Sequence, residues 1–235
     1  MTKSKIHFDV LPGEQKDVWK LLSPVSKMGF VLYGGTAVAL HLGHRHSFDF
    51  DFFSSQQFAK EDIKRLLPFL DRGKVTQDSK NTYTIITATN VKISFFGGIH
   101  LGRVGTPLTM PGTTLQIASL DDLLAMKLAT IFNRIEFKDY FDISAMLQNG
   151  MDLSKGLSAA RSLYGNQFQP SIILKTLTYF EGGDLELLSE KDKKVLVNAV
   201  KNVTTLQEIP ILSYTLYAES DQEDAVSPCG CTPCH

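Results

Sequence analysis

Asp49 and Asp51, with Phe50 between them, are the residues of this chain best spaced for chemistry. Strand side chains alternate faces, so carboxylates two residues apart leave the backbone on the same side. A pair of hard oxygen ligands on one face suits Mg2+ or Mn2+. Such an ion takes one or two protein carboxylates and fills its other positions with phosphate oxygens. Upstream, Gly34-Gly35-Thr36 offers the complement. A glycine corner leading into a helix start leaves backbone N–H groups open and lets an anion approach closely. The two together describe a place for a nucleoside triphosphate, held through metal on one side and amides on the other. Taken singly, Asp-Phe-Asp reads as the wet side of an amphipathic strand, and Gly-Gly as a turn.

The elements that must position these residues are legible around them. Phe30–Tyr33 has the length and composition of a buried strand. Thr36 is expected to cap the alanine- and leucine-rich helix Ala37–Leu42, and Gly43 to close it. A second strand, Phe48–Phe53, carries the aspartates, with Phe48, Phe50 and Phe52 facing the other way.

Read from Gly34 to Phe52, the order Gly-Gly-Thr-Ala-x-Ala-Leu-x-Leu-Gly-His-Arg-x-Ser-x-Asp-x-Asp-Phe resembles the AbiEii/AbiGii branch of the polymerase-β-like nucleotidyltransferase superfamily. These are the toxins of type IV toxin–antitoxin systems. The resemblance implies an α+β fold, with a mixed or antiparallel sheet flanked by helices and then a C-terminal helical domain. It implies transfer of a nucleotidyl group from a nucleoside triphosphate to an acceptor hydroxyl, with Mg2+ or Mn2+. By family analogy the acceptor is a tRNA end and the protein partner an antitoxin. Asp49 and Asp51 would hold the metal, and Gly34, Gly35 and Thr36 the phosphates.

A second constellation, Leu124-Ala-Met-Lys-Leu-Ala-Thr-Ile-Phe-Asn-Arg134 and then Lys138-Asp-Tyr-Phe-Asp-Ile143, resembles the family's lysine helix and its basic-Asp-x-x-Asp helix. The resemblance implies that Lys127 reaches the triphosphate, as suits a lysine ammonium. Asp139 and Asp142, which share a helix face, would brace the active-site face or its basic residues. Without the resemblance, Lys127 is a solvated helix lysine and the aspartates are salt-bridge partners. Arg45, in the cluster His41, His44, Arg45, His46, either pairs with a core carboxylate or contacts phosphate. The histidines lack a metal-ligand spacing on any one element.

One position departs from the superfamily. Polymerase-β-like transferases carry a third carboxylate on a neighbouring strand. Here that strand is Val91–Phe96, and its inward position is Ser94, with Lys92 on the same face. A serine hydroxyl is a weak Mg2+ ligand and no base at neutral pH. Ser94 therefore supports an alternative reading, a catalytically weak or inactive nucleotide-binding or protein-interaction module of the same fold. A third reading, transfer to a cationic small molecule, would need a deep acidic pocket.

The totals fit an ordinary globular protein: 235 residues, 43% hydrophobic, 21% charged, net charge −1 and pI about 6.6. That balance argues against a protein that coats nucleic acid, while leaving room for a local basic patch. No apolar run approaches membrane-spanning length, and a cytoplasmic location is expected. We divide the chain into a nucleotidyltransferase-like α/β domain over 1–110, a helical domain over 111–218 and a tail over 219–235. Helical periodicity predicts helices from Gly13 to Lys27 and Gln56 to Leu70, the second weakened or ended by Pro68, one starting at Ser119, and others near 136–148, 152–164, 170–181 and 189–203. Thr82–Thr87 and Val91–Phe96 predict a hairpin turning at Thr89-Asn90, and Ile209–Tyr217 a last strand or short helix. The three cysteines, Cys229, Cys231 and Cys234, lie in the tail with His235. They are zinc-type ligands whose spacing matches no common closed structural site, and they supply no disulfide framework.

Overall fold

The computed structural model describes residues 5–219; the cysteine-bearing tail lies outside them. The chain starts with α1 (Gly13–Leu21), β1 (Val31–Tyr33), α2 (Gly34–Leu42) and β2 (Asp49–Phe53). Next come α3 (Lys60–Leu66), β3 (Lys74–Ser79), β4 (Thr82–Ile86), β5 (Lys92–Phe96), β6 (Leu108–Thr109) and β7 (Gln116–Ile117). Helices complete it: α4 (Leu120–Asn133), α5 (Phe137–Gln148), α6 (Leu153–Tyr164), α7 (Pro170–Thr176) and α8 (Glu190–Asn202).

The strands form one mixed seven-stranded sheet in the order β3-β4-β5-β2-β1-β7-β6. β2 lies antiparallel to β1 and parallel to β5, with Asp49 opposite Lys92 and Asp51 opposite Ser94. The sheet reaches Ile117, beyond the boundary placed at residue 110, because β7 pairs in parallel with β1. One hydrophobic core runs from Val10 to Leu216, through both halves of the chain.

The alternation of β2 is what aims the site. Phe50 and Phe52 are fully buried, whereas Asp49 and Asp51 are half-buried on the other face. Phe50 packs on Trp19 of α1 at 5.8 Å, and Phe52 stacks on Phe95 of β5 at 5.7 Å, with Phe30 against Phe95 at 5.3 Å. A register slip by one residue would put both aspartates into this aromatic layer, so the register is strongly specified. Phe48 does not join the layer. It precedes the strand and is 61% exposed.

Several local expectations need correction. Thr36 does not cap α2, which starts two residues earlier. Gly34 takes φ +73 and turns the chain directly out of β1, so Thr36 lies inside the helix, buried. Its hydroxyl donates to the Asp49 carbonyl and lies 2.7 Å from the Ser47 hydroxyl, tying the helix to the start of β2. The helix starting at Gly13 stops at Leu21 and gives way to a 3-10 turn containing Pro24. α3 likewise ends before Pro68, which opens another 3-10 turn. β3 is a strand that periodicity did not announce, because all six of its residues are exposed. α7 ends at Thr176 rather than near 181.

Residues 209–217 form neither strand nor helix beyond one bridge, Arg103 to Ser213. Side chains satisfy this returning segment instead. Ser55 Oγ accepts from the Leu216 amide at 3.0 Å, and the Gln116 amide group both donates to and accepts from the Ala218 backbone. No helix among the described residues is long and apolar enough to cross a membrane.

α6 packs on α4 through Gly156, where an added Cβ would lie 2.6 Å from Leu124 Cδ2 and 2.7 Å from its Cγ. Gly156→Val should therefore cost about 1–3 kcal/mol through overpacking. Urea unfolding would show this as a lower midpoint at unchanged slope; an undiminished midpoint would contradict so close a contact.

Candidate active site

The aspartate face of the sheet forms the floor of a cleft of about 800 Å³. Gly34, Gly35 and Thr36 line it, together with Lys127 of α4 and Arg134, Lys138 and Asp139. Both glycines are required by close approach. A Cβ at Gly34 would lie 2.7 Å from Asp51 Oδ2, and one at Gly35 only 2.4 Å from Arg45 Nη2. No side chain caps the start of α2, which leaves its first-turn amides to an anion in the cleft.

Burial pushes the Asp51 carboxyl above its usual range, and the Asp49 charge adds to the shift. A hydrogen bond from Ser94 and the charges of Lys92 and Lys127 work against it. A carboxyl in this condition favours a cation beside it. Lys92 Nζ lies 3.6 Å from Asp49 Oδ2, with both side chains half-exposed.

Behind the cleft wall sits a buried ionic network. Lys127, 4% exposed, places Nζ 2.7 Å from Asp139 Oδ1 and 2.6 Å from Asp142 Oδ2. Asp142, fully buried, also accepts from Arg45 Nε at 2.7 Å, Arg45 Nη2 at 2.9 Å and His44 Nε2 at 2.8 Å. Asp139 accepts from Arg134 Nε at 2.9 Å and Nη2 at 3.3 Å. Burial alone would push the Asp142 carboxyl up. The hydrogen bonds from His44 and Arg45 and the charges of Lys127 and Arg45 outweigh it and hold the group far below the usual carboxylate range.

Residues 21–208 match the family described as the nucleotidyl transferase AbiEii toxin of type IV toxin–antitoxin systems. The chain belongs to the AbiEii family. It is 32% identical over 183 residues to the uncharacterized protein aq_aa25 of Aquifex aeolicus (strain VF5), covering 75% of this chain and 87% of that one. Among solved structures it is similar in fold to MenT4, a nucleotidyltransferase toxin from Mycobacterium tuberculosis H37Rv. That likeness has TM-score 0.50 at 13% identity, over 80% of this chain and 84% of that one.

The AbiEii cleft thus gathers residues from both sequence constellations. Asp49, Asp51, Gly34, Gly35, Thr36, Arg45, Ser94, Lys127 and Asp139 all line it, and Asp142 lies just behind, holding Arg45 and Lys127. Two partnerships went unread from sequence: that of His44, which ties the end of α2 to α5 through Asp142, and that of Lys92, whose face was read but not its place beside Asp49. His44 carries a signal only in hindsight, as the residue beside Arg45. Asp49 and Asp51 with a triphosphate's oxygens form a donor set that fits one Mg2+ or Mn2+. Among the described residues no group of three or more His, Cys, Asp or Glu side chains could hold a metal ion without such help.

Asp142→Asn would leave Lys127 and Arg45 short of a buried counter-charge, and should cost about 3–5 kcal/mol of stability. The sign of its pH dependence follows from the depressed folded value. The contribution is complete above the unfolded carboxyl value of about 3.9 and is lost as pH falls from there through the folded one. Unfolding free energies of wild type and variant should accordingly converge in strong acid; a pH-independent gap would contradict the assignment.

Proposed function

We propose that this chain transfers a nucleotidyl group from a nucleoside triphosphate to an acceptor hydroxyl, the acceptor being a tRNA end and the reaction cytoplasmic. The observation that carries the reading is the shared aim of Asp49 and Asp51 into the cleft that Gly34, Gly35 and Lys127 border. In balance, the acceptor oxygen bonds to the α-phosphorus and the α–β bridging P–O bond breaks. Pyrophosphate leaves with that electron pair, and the hydroxyl proton passes to water.

Each residue has a part in this reading. Asp49 and Asp51 hold Mg2+ or Mn2+, which would supply charge neutralisation at the phosphates when bound. The α2 amides at Gly34, Gly35 and Thr36 receive phosphate oxygens. Lys127, fixed by two aspartates, presents a positive charge at the cleft wall with little freedom left to lose. Asp139 and Asp142 act as positioning residues for Lys127, Arg45 and Arg134. An antitoxin protein would keep such an activity in check.

The register of Ser94 opposite Asp51 favours a second reading, in which the cleft binds nucleotide without turning it over. Incubation with α-labelled nucleoside triphosphates, Mg2+ and total tRNA separates the two. Label should appear on RNA and fall by at least about 100-fold in Asp49→Ala/Asp51→Ala, since a lost metal site removes several kcal/mol of transition-state stabilisation. Nucleotide binding with no labelled product would instead support the non-catalytic module.

A further inference from the structure

The following inference rests on the transfer reading and concerns the cations of the same cleft. Two-metal phosphoryl-transfer sites hold their ions about 3.5–4 Å apart, which calls for several acidic ligands. The floor of this cleft offers less. Asp51 has Ser94 as its register partner on β5, and Asp49 has Lys92. Ser94 is 2% exposed and stands opposite Asp51, so a neutral hydroxyl occupies the place where a third carboxylate would add charge. On the other side the Lys92 ammonium stands 3.6 Å from Asp49 Oδ2. Two negative charges and one positive charge therefore face the nucleotide. A first Mg2+ arrives with the phosphates, but a second would have to settle beside an ammonium.

We propose that Lys92 takes the electrostatic role of a second divalent cation, so that the cleft takes one such ion per bound nucleotide. The Lys92–Asp49 pair is half-exposed on both sides, and a pair in that setting adds little to stability. The same exposure leaves the ammonium, a compact charge on a flexible stem, able to turn to an anionic substrate oxygen. Lys127, Arg45 and Arg134 are each already bound to Asp139 or Asp142, and Lys138 lines the cleft from α5 rather than from the sheet. Lys92 is the cation that the strand register sets directly against the aspartate pair. Charge spread over the phosphoryl oxygens in the transition state is what it would meet.

The test counts Mn2+ by electron paramagnetic resonance on the full chain, with and without an α,β-methylene nucleoside triphosphate analogue. Wild type should bind one Mn2+ per ternary complex, and Lys92→Asp two. Lys92→Met should keep its Tm and its analogue affinity within about threefold, yet lose about 100-fold in kcat, with Lys92→Arg recovering part of the loss. Two Mn2+ in wild type, or an unchanged kcat in Lys92→Met, would overturn the proposal and leave the transfer reading standing. Wild type that binds neither Mn2+ nor analogue would overturn both.

Discussion

Two buried carboxylates govern how the rest of the cleft is arranged. Asp139 and Asp142 lie one helical turn apart on α5, fully buried, where an ionised group is costly unless every oxygen is served. They are served by Lys127 from α4, by Arg134 just past its end, and by His44 and Arg45 after α2. The demand of two anions for donors thus fixes three segments relative to α5. In a low-dielectric interior such a network is rigid when satisfied and destabilising when broken. Its geometry also decides what the cleft can offer. Lys127 lines the cleft as a held charge rather than as a mobile side chain.

The sheet contributes the opposing constraint. β2 is central, with β1 and β5 on its two sides, so its backbone hydrogen bonds are taken and its pleat is set. Below it, Phe50 and Phe52 are locked among Trp19, Phe30 and Phe95. Above it, the aspartates have no alternative direction. The glycines then let α2 begin so close to Asp51 that any side chain at Gly34 would strike its carboxylate. Acidic floor and helix start lie side by side because Gly34 and Gly35, at the corner between β1 and α2, carry no Cβ atoms.

The sequence made local geometry readable and left long-range partners obscure. Asp49 and Asp51 declared their common face through simple alternation, and Ser119 announced the start of α4, where its side chain accepts from the Asp122 amide. β3 was silent because a fully exposed edge strand has no apolar period to read. Thr36 misled because its residue type suits a cap, whereas the backbone freedom of Gly34 moved the helix start upstream. The pairing of Arg45 with Asp142 spans 97 residues, and no local pattern encodes a choice between that carboxylate and a phosphate. Lys92 is the mixed case. Its face was legible from alternation, but its partner depended on β5 lying parallel to β2, a matter of topology.

That span of 97 residues also has a temporal meaning. During translation the glycine corner and the aspartate pair leave the ribosome long before α5 does, and domains complete their folds only once their distant contacts exist. Until Asp142 has emerged, Arg45 and His44 lack their buried acceptor and the wall that carries Lys127 is missing. The nascent chain therefore carries the acidic floor of its cleft before the basic wall that faces it exists.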